Sequence, residues 1–144
     1  MTNITPFIRA WLVSNAGLNA LTAGRVASQV QVSRGLPAIR IATTTGGPVA
    51  SAQAQVDAVE RWSVALYVYA GKLSDGRSDL PDEESAWELV TSIVESAALI
   101  GTTPFTAATG ERLVRAAVVS AAPGVDLDTG FARATVVLSL DIWR

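Results

Sequence analysis

Two segments of the chain alternate apolar and polar residues with the period of a β-strand. Residues 59–69 form the first segment and residues 131–143 form the second. Alternation of this kind turns every second side chain toward the core and the others away from it. In the first segment, the apolar side consists of Trp62, Val64, Leu66 and Val68. The two segments therefore predict long strands of a sheet that buries one face.

A long amphipathic helix is the other strong feature of the sequence. Between about residues 81 and 100, apolar residues recur every three or four positions, as a single helical stripe requires. The stripe consists of Ala86, Leu89, Val90, Ile93, Val94, Ala97 and Ile100. Asp79 is a candidate N-cap, and the acidic residues that follow it suit the positive end of the helix dipole. A helix with one apolar stripe needs a sheet to pack on.

The N-terminal part of the chain predicts one helix, a short turn and two short strands. Thr5 is expected to cap a helix with Pro6 at its first position, and Asn15-Ala16-Gly17 is expected to end it. A helical turn at residues 18–21 closes at Gly24, and strand candidates follow at 26–32 and 38–43. Residues 43–56 show neither the helical nor the strand period of apolar residues, which predicts a long loop or an extended arm.

After the long helix, the sequence predicts a strand over residues 113–121, a turn at Pro123-Gly124 and the final strand at 131–143. Helices and strands are thus segregated along the chain, and its 144 residues suit a single domain. We predict an α+β domain over residues 1–144. Its largely antiparallel sheet has about 4–5 strands, with an N-terminal helix and one long helix packed on one face.

Composition excludes much of enzyme chemistry. The chain contains no histidine and no cysteine, so imidazole bases, thiol nucleophiles and zinc knuckles are absent. Asp128-Thr129-Gly130 is the triplet of aspartic proteases, but Phe131 follows it and no second copy exists. Asp126 and Asp128 also lack the bidentate glutamate of a calcium loop. We predict a turn here, and no enzyme activity, cofactor or metal.

Charge is unevenly distributed in a chain of net charge −2. Residues 78–111 contain seven acidic residues and no lysine or arginine. The acidic face predicted on the long helix consists of Asp82, Glu83, Glu84, Glu88 and Glu95. One explanation of this acidic run is a helix face that is exposed to solvent. The alternative is a functional surface, which either contacts a basic neighbouring protein or lines a channel through which DNA slides. The sequence contains no run of basic residues of the kind that tight nucleic-acid binding requires.

Aromatic residues mark a candidate interface. Trp11 and Trp62 fall in core patterns, whereas other aromatic residues fall on the sheet face opposite the core. The interface candidates on that face are Arg61, Tyr67, Tyr69, Arg133 and Trp143. Aromatic residues and arginine are enriched where proteins associate. A second helix that covers this face is the alternative explanation.

These patterns together resemble the tail terminator, or tail completion, proteins of long-tailed bacteriophages. After an N-terminal helix, the matching segments are LNALTAGRV at 18–26, LPAIRI at 36–41, RWSVALYVY at 61–69, the long helix from Asp82 and LDIW at 140–143. The resemblance implies a non-enzymatic virion protein that assembles as a hexameric ring on the tail tube. Its implied partners are copies of itself, the tail tube protein and the head-tail connector protein.

The resemblance further implies that DNA passes through the ring without specific binding, and that the protein resides in the virion neck after assembly in the host cytoplasm. The N-terminal residues lack the pattern of a secretory signal, and no apolar run reaches the length of a membrane span. We therefore expect no membrane association. Another neck or tail subunit, such as a connector or tube protein, is the main alternative, followed by an unrelated enzyme or binding domain.

Overall fold

A computed structural model describes residues 3–28, 38–48, 59–69, 81–125 and 132–143. These residues form an α+β fold of helices and one sheet. In chain order, the elements are α1 (Thr5–Ser14), α2 (Ala16–Thr22), β1 (Val26–Ala27), β2 (Ala38–Pro48), β3 (Val59–Tyr69), α3 (Pro81–Leu99), β4 (Phe105–Thr106), β5 (Arg112–Val125) and β6 (Ala132–Trp143). None of the helices in the described ranges has both the length and the hydropathy needed to cross a membrane.

The sheet is larger than the sequence predicted and mixed in direction. Six strands among the described residues follow the order β1-β2-β3-β6-β5-β4. Strand β1 runs parallel to β2, and every other neighbouring pair is antiparallel. The prediction of about 4–5 strands was therefore too low, because β4 has only two residues and carries no readable alternation. Strand β1 lies within the strand predicted at 26–32.

One face of the sheet packs against the helices and forms the core. The core-cluster side chains of β3 and β6 are those that the alternation predicted, and all of them are at most 6% exposed. These cluster members are Trp62, Val64, Leu66, Val68, Ala134, Val136, Leu138, Leu140 and Ile142. Helix α1 contributes Trp11 and Leu12 to the same cluster, and α3 contributes Ile93. Both helices thus lie on this inner face, as predicted.

The long helix matches its predicted span, but its stripe is narrower. Six of the seven predicted stripe residues are buried, whereas Val94 is 39% exposed. Val94 lies beside Ile93, which is fully buried against the sheet. Successive helical positions are about 100° apart, so the edge of the stripe turns away from the core. Trp87, also 39% exposed, lies seven residues before Val94 on this solvent side of α3.

The ends of the first two helices differ from prediction by a few residues. Ile4 occupies the N-cap position of α1, and Thr5 is already helical, with its amide donating to Asn3 Oδ1. Asn15 ends α1 and caps α2, accepting a hydrogen bond from the amide of Leu18 at 3.0 Å. Gly17 therefore lies inside α2 and does not terminate α1. The chain leaves α2 through left-handed conformations at Ala23 and Gly24.

Two strands extend through segments predicted to lack structure. Strand β2 continues to Pro48, so residues 43–48 belong to the sheet and not to a loop or arm. The rest of the predicted 43–56 segment lies outside the described residues. Strand β5 runs through Pro123-Gly124, where a turn was predicted. Pairing with β6 at Ala134 and Arg133 holds these two residues in the sheet. The predicted Asp128-Thr129-Gly130 turn lies outside the described ranges.

Candidate functional site

The sheet surface that faces away from the helices gathers most of the described arginines. We call this surface the outer face. It comprises the alternate residues of β2, β3, β6 and β5, and their register brings together groups that are distant in sequence. Its charged and aromatic members are Arg40, Arg61, Tyr67, Tyr69, Arg112, Arg115, Arg133, Asp141 and Trp143. Between them lie small residues, including Ala65, Ala117 and Ser139.

Asp141 is the centre of an ion cluster that joins three strands. The Nε of Arg61 on β3 donates to Asp141 Oδ1 at 2.8 Å, and the Nε of Arg115 on β5 donates to Oδ2 at 2.7 Å. Arg115 also donates from Nη2 to Ser139 Oγ at 2.9 Å. Asp141 is only 8% exposed, so its carboxylate is shielded from solvent while both guanidinium groups remain partly exposed.

The Arg61 hydrogen bond is the main reason that the pKa of Asp141 lies below its ordinary value. Burial acts in the opposite direction, and Arg115 adds to the lowering. The same contact raises the pKa of Arg61. Asp141 is therefore ionised at neutral pH, and charge-assisted hydrogen bonds of this kind are stronger than neutral ones. The cluster links β3, β6 and β5 across the outer face.

Aromatic side chains on the outer face lie beneath other arginines. The guanidinium carbon of Arg133 is 4.2 Å from the Tyr67 ring centroid, and that of Arg40 is 5.8 Å away. Arg112 lies 5.6 Å from the Trp143 ring centroid. These distances suit cation–π attraction. The Nε of Arg133 and the Nε1 of Trp143 are buried, and neither has a hydrogen-bond partner in the part of the chain that the structure describes.

The five interface candidates share this surface, but they are not equally accessible. Arg61 is well exposed, whereas Tyr67, Arg133 and Trp143 are half-buried. Tyr69 is only 5% exposed, so its side chain offers little area to a partner. Their role as an interface stays a prediction.

Sequence reasoning missed Arg40, Arg112 and Arg115 as members of the outer face. Arg112 directly follows the acidic stretch and opens β5, which was a readable signal. The shifts in register that set the facing of β2 and β5 were not readable. In β2 the shift falls between Ile41 and Thr43, and in β5 shifts fall between Leu113 and Arg115 and between Val118 and Ser120.

Acidic residues lie on the other side of the molecule. Asp82, Glu83 and Glu84 occupy the first turn of α3, and their side chains lie outside the description. Glu88 and Glu95 are exposed on α3 and are separated by two helical turns, so they share one face. With Leu21 of α2 and Trp87, they line a shallow, open groove between α2 and α3. We call it the helical groove.

One carboxyl group, that of Glu60, is buried at the start of β3. Burial raises its pKa, a contact with Trp62 lowers it, and the neighbouring Glu111 raises it further. A carboxyl with a raised pKa is a candidate proton donor in general acid catalysis. Within the described ranges, however, no group of three or more acidic residues could hold a metal ion. The Asp126 and Asp128 carboxyls lie outside those ranges.

A second concavity, of about 320 Å³, lies where α1 and α3 meet the loop before β4. Trp11, Leu99 and Phe105 line it together with Asn15 and Ser96, and Asn15 Nδ2 donates to Ser96 Oγ. These two polar side chains already satisfy one another, which leaves a mainly apolar recess.

Comparison with protein-family models finds no family that matches the chain, and comparison with curated protein sequences finds no similar protein.

Proposed function

We propose that this chain is a structural virion protein of a long-tailed bacteriophage. Its copies form a ring that caps the tail tube, ends tail polymerisation and presents a surface for joining the head. The outer face is the observation that carries this proposal. Its partners are further copies of the chain, the tail tube protein and the head-tail connector protein, and DNA passes through the ring without specific binding.

The outer face supports association because it has the composition of a protein interface. All three described helices pack on the inner face, so no described helix covers the aromatic residues and arginines on the other side. Aromatic residues and arginine are the types that contribute most of the energy at interfaces. Trp143 and Tyr67 are held in place by their arginine neighbours, so little conformational entropy remains to be lost on binding.

The order of elements supports the more specific assignment to the tail terminator type. The sequence resemblance depends in part on the N-terminal helix, the strand at 59–69, the helix from Asp82 and the closing strand. Each of these segments forms the expected element. Fold alone does not establish function, and the specific assignment therefore needs a test in solution.

The mass of the purified protein, measured by light scattering, is the first test. We expect a discrete oligomer of ring size, visible as closed rings by negative-stain electron microscopy. Mixed with purified tail tubes, the protein should bind tube ends and prevent further addition of tube protein. A monomer that leaves tube growth unchanged would contradict the proposal.

A tube protein is the second candidate, because one long sheet edge has no neighbouring strand among the described residues. Strand β4 pairs only with Arg112 and Leu113 of β5. No other strand in the described part of the chain pairs with the remaining edge of β5, which runs to Val125. Open edges add strands from neighbouring molecules. Open-ended polymers in place of discrete rings would favour this candidate.

The enzyme alternative is tested at Asp128, because the triplet that contains it is the strongest catalytic motif. Asp128→Asn should leave the oligomer mass and tube capping unchanged, since the triplet is interpreted as a turn. Assays of wild type and variant against a casein substrate at acidic pH provide the readout. Hydrolysis by the wild type that disappears in Asp128→Asn would overturn the structural assignment.

A further inference from the structure

The outer face and the helical groove carry opposite charge. Among the described residues, the outer face contains five arginines and one carboxylate, Asp141. Two of these arginines already neutralise Asp141. The other three, Arg40, Arg112 and Arg133, lie over aromatic rings and face no carboxylate in the described ranges. Positive charge therefore remains on this surface.

The helical groove has the complementary character. Glu88 and Glu95 supply negative charge, and residues 78–111 contain no basic residue to offset it. Between the two carboxylates, the groove exposes apolar area from Trp87, at 39%, and Leu21, at 37%. Exposed large apolar residues beside acidic groups match a partner that carries both aromatic and cationic side chains. The outer face of the same chain carries both.

The two surfaces lie on opposite sides of one subunit. Helix α3 packs against the sheet through Leu89 and Ile93, while Trp87, Glu88 and Glu95 point away from it. The outer face lies beyond the sheet, on the far side from α3. A contact between two different surfaces of the same chain is heterologous, and such contacts build rings when the rotation between copies closes. The geometry suits the ring of the proposed function.

We propose that the outer face of one copy binds the helical groove of the next copy. Arg112 and Arg133 lie against Glu88 and Glu95, and the aromatic residues of the outer face pack on Trp87 and Leu21. This inference rests on the proposed function, because a ring needs a heterologous contact of this kind. Nucleic acid is the less suitable occupant, since much of the outer face consists of small and aromatic residues that contribute nothing to neutralising phosphates.

Charge reversal provides the test, with two variants of the full chain. The groove variant carries Glu88→Arg and Glu95→Arg, and the face variant carries Arg112→Glu and Arg133→Glu. Neither changes a residue bonded to Asp141, so the ion cluster of the sheet is retained. Glu111→Arg is the control, because it makes the same Glu→Arg change as each groove substitution but outside both surfaces. Thermal melting establishes that each variant is folded, and Arg112→Glu alone replaces the face variant if the double change unfolds it.

Each variant alone should self-associate about a hundredfold more weakly than wild type, because like charges then meet at every contact. An equimolar mixture should regain the wild-type oligomer, since groove-variant and face-variant copies alternate with opposite charges at each contact. A single chain that carries all four reversals should also assemble. The control should match wild type. Analytical ultracentrifugation measures all of these states.

Several outcomes would overturn the inference. If wild type forms rings but both folded variants assemble equally well, or if their mixture stays dissociated, the surfaces are assigned wrongly while ring formation stands. If wild type is a monomer even with tail tubes, the proposed function fails as well. If the face variant assembles normally but loses binding of a fluorescent duplex DNA that wild type retains, the outer face binds a polyanion and not a second copy.

Discussion

Neighbouring residues of β6 face two different environments. Val136, Leu138 and Leu140 point toward the helices and are fully buried. Val137, Ser139 and Trp143 point the other way and remain partly exposed, among arginines and small residues. The inner face is apolar because it is filled by the subunit itself. The outer face keeps charged and aromatic groups together, and under the proposed function another subunit covers it.

Removing the same two methyl groups from each face tests whether the inner face contributes more to stability than the outer face. Val136→Ala should lower the free energy of unfolding by about 2–3 kcal/mol, because it deletes two methyl groups and leaves a cavity in the core. Val137→Ala is the matched control on the same strand and should cost less than about 1 kcal/mol. Urea denaturation measures both. Equal losses would mean that the outer face is packed as tightly as the core.

Two adjacent glycines in β2 differ in how closely the neighbouring strand approaches them. A Cβ atom on Gly46 would lie 2.7 Å from the Cα of Trp62 and would also meet the backbone carbonyl of Arg61. Backbone atoms cannot give way as a flexible side chain can, so Gly46→Ala should cost about 1–3 kcal/mol.

A Cβ atom on Gly47 meets nothing within 4 Å, so Gly47→Ala is the control and should melt close to wild type. The two thermal melts decide the matter. Strands β2 and β3 are not as close at Gly46 as described if both variants melt alike.

Trp143→Ala distinguishes association from folding on the outer face. The Trp143 side chain is half-buried and contacts Arg112, but it lies outside the core cluster. We expect a loss of about 2 kcal/mol in association, the typical scale for an interfacial tryptophan, and a smaller loss in unfolding. Light scattering and thermal melting measure the two effects separately. If the Trp143→Ala subunit unfolds before its oligomer dissociates, Trp143 contributes to folding as a core residue does.

Asp141→Asn gives the smallest effect, and its dependence on pH identifies it. The folded pKa of Asp141 is below the ordinary value of 3.8, so its ion pairs stabilise the fold above that pH. This contribution is lost as pH falls through the lowered pKa. Asp141→Asn should cost about 1 kcal/mol at pH 7 and less at a pH well below the ordinary value of 3.8. Denaturation at both pH values checks this, and a cost that is independent of pH would contradict the ion-pair explanation.

Much of the fold was predictable from the sequence. Alternation with a period of two identified β3 and β6 and the residues they bury, and the recurring apolar positions identified α3. These signals are local, because the facing of a side chain along one element depends only on the geometry of that element. Strand β1 lies within the strand predicted at 26–32, whereas β4 escaped prediction because its two residues carry no period.

Local patterns therefore determine the type and the apolar side of β3, β6 and α3, and composition alone excludes histidine and cysteine chemistry. Tertiary structure alone brings Arg61 and Arg115 to the carboxylate of Asp141, which is 80 residues from the first and 26 from the second. It also decided that β5 continues through Pro123 and that Tyr69 is buried. Such features depend on the register between strands distant in the chain. Packing of the whole core fixes that register, and no local pattern records it.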